Sequence, residues 1–209
     1  MTNKKFSTLK MVELAFLTAV VLVLQLTGTA IKISVLGTSV SLVLIPIVLG
    51  AVMIGPSAGA WLGFVFGAVV FLMGAFGLDA FTQMMVADNP IMTFIICFAK
   101  GILAGLVAGI VYKALIKKNR ILATFAAAAA APIVNTGLFI LGSLVMSGTF
   151  EKNASNLGIT DGMSIFYFLV IVCAGVNFIF ELLLNIVASP VILRVSDAVG
   201  KILGKKNKA

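Results

Sequence analysis

The sequence predicts an all-α membrane protein, a six-transmembrane-helix bundle with both termini cytoplasmic. Three observations point there. The 209 residues are 61% hydrophobic and 11% charged, with a mean hydropathy of +1.21, far outside the range of soluble domains. The apolar residues fall into six stretches, each near the roughly 20 residues that a helix needs to cross a bilayer. Lysine and arginine gather in alternate connections, the bias that orients such chains.

The predicted spans are 11–29, 38–55, 57–75, 90–114, 121–147 and 164–193, one integral membrane domain over residues 1–209. Lys4, Lys5 and Lys10 precede the first. Lysines, an apolar run and then Thr27-Gly28-Thr29-Ala30 mimic a secretory signal, but a multispan chain follows, so an uncleaved first helix is expected. The second span is the least regular, because Ser39, Ser41 and Pro46 lie within it. Gly55-Pro56-Ser57 makes a tight turn into the third. Asp88-Asn89-Pro90 starts the fourth with a capping side chain, then a proline whose missing N–H costs nothing there. Lys117-Lys118-Asn119-Arg120 separates the fourth from the fifth. A polar connection from Thr149 to Asp161 leads to the sixth.

With an even number of spans, the N-terminal lysines, the group at 113–120 and the group formed by Arg194, Lys201, Lys205, Lys206 and Lys208 share one side, which the charge bias makes cytoplasmic. Only Lys32 and Lys152 fall in the opposite connections, beside Asp79, Asp88, Glu151 and Asp161. The net charge of +8 therefore sits mostly on the cytoplasmic rim, where it suits anionic lipid rather than nucleic acid. Location in the cell membrane follows. Cys97 and Cys173 both lie within spans and suggest neither a disulfide nor a metal site.

Catalytic machinery is not evident. Histidine is absent from the composition, Gly200-Lys201 is followed by isoleucine rather than by the hydroxyl residue of a phosphate loop, and neither HExxH nor GxSxG occurs. No catalytic residue, metal or cofactor is therefore expected on this chain. A transporter or a ligand-capturing membrane subunit fits better than an enzyme.

Gly59, Gly63 and Gly67 in the third span, and Gly101, Gly105 and Gly109 in the fourth, recur every fourth residue. Such a face lets two backbones approach closely, which is how membrane helices associate without a hydrophobic driving force. Close packing of these two helices is the expectation. Ala15 and Ala19 are a weaker version of the same device, and spacing alone leaves open whether they meet a helix of this chain or another protein.

The polar residues inside the spans carry the functional argument. Cys173, Asn177, Glu181, Asn185 and Ser189 recur every fourth residue, so the central ones share a helix face. Asn135 and Thr136 follow Pro132, which frees a backbone carbonyl and so favours a polar niche. Lys100 lies about 15 Å into the fourth span, too deep to snorkel outward easily. An ionisable group at such a depth costs roughly 2.5–3.5 kcal/mol on insertion scales and demands a reason. Lys100 and Glu181 either pair with each other or serve a ligand; the sequence leaves both open. The connection at 76–89 is too apolar for a solvated linker and too polar to span, so it is either a lid dipping toward the bundle or an interfacial turn.

Several segments together carry a resemblance. They are Ala15-Phe16-Leu17-Thr18-Ala19, the run from Ser41 through Pro46 to Ala60, Lys100-Gly101-Ile102-Leu103-Ala104-Gly105, and Asn135-Thr136-Gly137-Leu138-Phe139. The chain resembles the substrate-capture (S) components of energy-coupling factor vitamin transporters, and within them the pantothenate-specific branch. That resemblance implies a subunit that binds one vitamin near the outer face and does not move it alone. It would join a membrane coupling subunit and two cytoplasmic ATPases, which use the ATP, and topple to release the vitamin inside. It would make Ala15 and Ala19 the docking contact, and would set the loops holding Ser41 and Asp79 over the site. Pantothenate would place its carboxylate on Lys100, with Lys32 as the second candidate, and its amide and hydroxyls on Asn135, Thr136, Asn177 or Glu181. In the pantothenate branch an arginine would be expected where Lys100 stands, so charge is kept and bidentate geometry lost. Other readings are a different water-soluble vitamin, a proton-coupled secondary transporter using Glu181, and a structural or assembly membrane protein whose polar stripes only hold helices together.

Overall fold

A computed structural model describes residues 8–30, 34–35, 38–39, 42–159 and 163–202. The described chain is almost wholly helical: α1 (Thr8–Ala30), α2 (Leu44–Met53), α3 (Pro56–Ala75), α4 (Ala80–Asp88), α5 (Pro90–Leu115), α6 (Arg120–Val145), α7 (Ser147–Lys152), α8 (Ile165–Tyr167), a π-helical stretch Phe168–Gly175, and α9 (Val176–Ile202). Ser34–Val35 and Thr38–Ser39 form a minimal antiparallel ladder before α2. Among the described residues, five helical segments are long and apolar enough to cross a membrane: Thr8–Gly28, Pro56–Ala75, Pro90–Leu115, Arg120–Val145 and Ile165–Lys201.

The second predicted span is the one that changes. Instead of 38–55 it is a helix of 10 residues, α2, about 15 Å long and half the thickness of a hydrocarbon core. Residues 38–39 are extended, and Pro46 falls in the first helical turn, where the missing N–H would have no partner in any case. Most of α2 is buried among α1, α3, α5, α6 and α9, which explains a helix that is apolar on every side. The connection at 76–89 contains α4, and the one after α6 contains α7, so both are helical in part.

The starts of the long helices follow their sequences. Gly55 adopts φ 133°, open to glycine, and Pro56 takes the first position of α3. Asn89 Oδ1 accepts from Met92 N at 3.0 Å with Pro90 next, and Asn119 Oδ1 accepts from Leu122 N at 3.0 Å to start α6.

The glycine seam forms within the chain. A Cβ at Gly59 would run into the Gly105 carbonyl, one at Gly63 into the Gly101 carbonyl, and one at Gly67 into the Cys97 carbonyl. Thus α3 and α5 pack antiparallel with backbone against backbone.

Two apolar clusters close the ends of the bundle. One joins Val48, Ala108, Tyr112, Ala123, Ala127 and Ile192. At its end, Arg120 pairs with Asp197 and donates to Ser196 Oγ at 3.2 Å. The other, beneath α4, joins Met85, Ile96, Met146, Phe150, Leu169 and Cys173. Between them lie 99–107 of α5, 132–143 of α6 and 174–187 of the last span. That intermediate layer holds most of the polar residues singled out above.

Candidate functional site

Helix register places these residues in depth. The Arg120–Asp197 ion pair ties α6 to α9, and Thr136 and Glu181 lie equally far along their helices from it, so they share a level. On the other flank a Cβ at Gly142 would meet Ile96, and Lys100 reaches Phe139, so α5 runs antiparallel to α6 with Lys100 close to the same level. Lys100, Asn135, Thr136, Asn177 and Glu181 therefore form one belt at mid-depth, drawn from three helices.

Lys100 is half-buried. Its Nζ lies 5.3 Å from the centre of the Phe139 ring and 5.7 Å from that of Phe66, so the cation sits between aromatic faces of α6 and α3. Among the described residues no carboxylate lies within ion-pair distance of it, and the Lys100–Glu181 pair that the sequence left open does not form.

Asn135 is 6% and Thr136 7% exposed. The stripe on the last span faces inward along its length: Cys173, Glu181, Asn185 and Ser189 are all buried. Its members are tied along the helix. Asn177 Nδ2 donates to Glu181 Oε1 at 3.3 Å, Asn185 Nδ2 to the Glu181 carbonyl at 2.8 Å, and Ser189 Oγ to the Asn185 carbonyl at 2.9 Å. The Oδ1 atoms of Asn135, Asn177 and Asn185 are buried with no hydrogen-bond partner among the described residues. Such acceptors are costly to leave unmade.

Helix α4 lies over the end of this belt, with Thr82 and Met85 buried. Phe81 packs its ring 5.9 Å from Phe139 and 5.7 Å from Phe150, so the ring beside the Lys100 ammonium also touches α4. Asp79 caps α4, its Oδ2 accepting from Thr82 N at 3.3 Å and from the Thr82 hydroxyl. At the other end Asp88 accepts from Thr149 Oγ1 and pairs with Lys152 at 2.8 Å, clasping α4 to α7. The hydrogen bond from Lys152, then that from Thr149, holds the Asp88 carboxyl below its ordinary value. An open cleft of about 400 Å³ lies beside α4, lined by Ala80, Gln83, Met84, Ala87, Asp88 and Asn153, and takes in none of the predicted site residues.

Lys32 and Ser41 lie outside the described residues. Ala15 and Ala19 are exposed on α1, away from the belt, on a face with Met11, Val12, Phe16 and Val23. The sequence reading missed Phe66 and Phe139. The signal for Phe139 was its place one turn beyond Asn135 on the same face; Phe66 had none, because it reaches Lys100 only through helix packing.

The family model described as "ECF transporter, substrate-specific component" matches residues 9–193, nearly the whole chain. The chain belongs to this family. No curated protein matches it. A substrate-specific component is a subunit of a transporter rather than an enzyme; such subunits bind small-molecule vitamins and work with membrane and ATPase subunits. In this substrate-specific component, the mid-depth belt is where a half-buried cation and unpartnered acceptors coincide.

Proposed function

We propose that this chain is the high-affinity vitamin-capturing subunit of an ATP-driven importer, with pantothenate its first candidate substrate. The observation that carries this is the Lys100 ammonium, held between two rings at mid-depth with no carboxylate partner among the described residues. A cation in such a place favours an anionic ligand, because a partly desolvated charge-assisted hydrogen bond is strong. The unpartnered oxygens of Asn135 and Asn177 ask for donors, which the amide and hydroxyls of pantothenate supply. Phe66 and Phe139 flank the ammonium and screen the anionic end of the ligand from water. Thr136 and Glu181 stand at the same level, and Glu181 faces a hydroxyl rather than the carboxylate it would repel. Asp79 contributes by capping α4 over the site, and Ser41 is kept as a candidate from the sequence alone.

The six-span arrangement, with α2 as its short member and both termini cytoplasmic, puts α4 on the outer face and the Arg120 end inside. The exposed Ala15 and Ala19 would then meet a membrane coupling subunit, with two ATPases consuming the ATP and this chain binding no cofactor. Another anionic vitamin would use the same cation. A proton-coupled transporter built on Glu181 would rest on the burial of that carboxyl alone.

The test is calorimetry of the purified chain, stripped of endogenous ligand, against a vitamin panel. Tight one-to-one binding of pantothenate is expected. Lys100→Gln should weaken it about 10- to 150-fold, the worth of a hydrogen bond to a charged group. Unchanged affinity would remove Lys100 from the site, and a folded chain that binds no vitamin would end the capture reading.

A further inference from the structure

The layer between the two apolar clusters leaves a Ser143 hydroxyl and three amide oxygens buried without a partner among the described residues, and the amide oxygens are of one chemical kind. Asn135, Asn177 and Asn185 each leave an amide oxygen without a partner among the described residues, and an amide oxygen can only accept. For Asn185 the orientation is settled by its neighbour. One end of the amide lies 2.8 Å from the Glu181 carbonyl, itself an acceptor, so Nδ2 must be the donor there and Oδ1 faces away. Pro132 adds another acceptor: it has no N–H, so the buried Ala128 carbonyl one turn earlier loses its usual helical partner. Asn185 and Pro132 lie equally far from the Arg120–Asp197 pair and so stand at one level.

Cation and deep acceptors lie at opposite edges of the belt. Lys100 meets Phe139 on the side of α4, whereas Asn185 is level with Pro132. About 10 Å of helix rise separates those two levels.

Resting on the reading of this chain as an anion-capturing subunit, we propose that the belt is a length gauge. It takes a linear molecule whose anionic end sits on Lys100 beneath α4 and whose far end brings a hydroxyl or N–H donor to Asn185, about 10 Å deeper. Asn135 meets a donor between the two, and Asn177 stands level with the Lys100 end. Asn185 is then a specificity residue, because a short anion fills only the upper part and leaves its oxygen unmade. Extended pantothenate has this layout, with a carboxylate at one end, an amide N–H midway and hydroxyls at the other.

The experiment titrates the full chain in nanodiscs with pantothenate and with an analogue lacking the primary hydroxyl. Wild type should bind the analogue about tenfold more weakly. Asn185→Leu should weaken pantothenate by a similar factor and leave the analogue unchanged, whereas Lys100→Gln should weaken both ligands equally. The comparison of ligands on wild type needs no variant, so it decides the matter even where Asn185→Leu does not fold. Equal wild-type affinity for the two ligands, with Lys100→Gln still harmful to both, overturns the gauge and leaves the capture reading standing. Failure of both ligands to bind overturns the gauge together with the reading beneath it.

Discussion

Replacing Gly63 by alanine puts the α3–α5 seam under direct load. The new Cβ would sit 2.5 Å from the Gly101 carbonyl carbon and 3.0 Å from the Ile102 nitrogen, where contacting heavy atoms settle at about 3.5–4.0 Å. The obstacle is backbone, so no side chain can swing aside, and the helices must part by about 1 Å. That parting also loosens the close approaches at Gly59 and Gly67. Overpacking costs about 1–3 kcal/mol, and alanine returns at most about 1 kcal/mol of helix propensity. A net loss of about 1–2 kcal/mol should lower Tm by about 2–8 °C in a chain of this size. Gly137→Ala is the matched control, because nothing lies within 4 Å of its Cβ position and alanine there should leave Tm unchanged or raise it. The buried thiols of Cys97 and Cys173 supply the assay, since a thiol-reactive dye reaches them only on unfolding. An unchanged Tm for Gly63→Ala, or equal losses in both variants, would refute the argument that backbone contact holds this seam.

Two further expectations concern the ends of the bundle. The native pKa of Asp88 lies below its ordinary 3.8, so the α4–α7 clasp is fully present above that value and is lost as pH falls through the lower native one. Amide protection of α4, corrected for intrinsic exchange, should therefore hold down to pH 3.8 and fall below it, while Asp88→Asn shows the lower protection throughout. Protection indifferent to both changes would assign the hold on α4 to Phe81 and Met85 instead. Ala15→Trp and Ala19→Trp should spare ligand affinity yet block uptake in cells that carry the partner subunits; surviving uptake would move docking off α1.

Features set by neighbours along the chain were legible in the sequence. Apolar runs of spanning length, Asn89 before Pro90, the every-fourth-residue glycines and the stripe from Cys173 to Ser189 all express one helix's periodicity, and among the described residues they become five helices long and apolar enough to span, a cap, a seam and an inward face. The second span was misjudged because hydropathy averages over Ser39 and Ser41, whereas a helix starts where its first turn can form, just before Pro46. The segment at 76–89 looked equally like lid and interfacial turn, because an amphipathic stretch of that length shows only that one face is buried, not against what.

The sequence by itself determined that this is a membrane-embedded helical protein, that α3 and α5 can approach backbone to backbone, and that Lys100 and Glu181 lie deep in apolar surroundings. Only the tertiary structure decided that Lys100 faces Phe66 and Phe139 rather than Glu181, that Asp79 caps α4, and that Asn185 turns its oxygen away from its own helix. The physical reason is one of range. Composition and periodicity act within a helix, but partners across helices depend on the register and rotation of one against another, which here arise from the glycine seam and the Arg120–Asp197 pair acting on residues far apart in the chain.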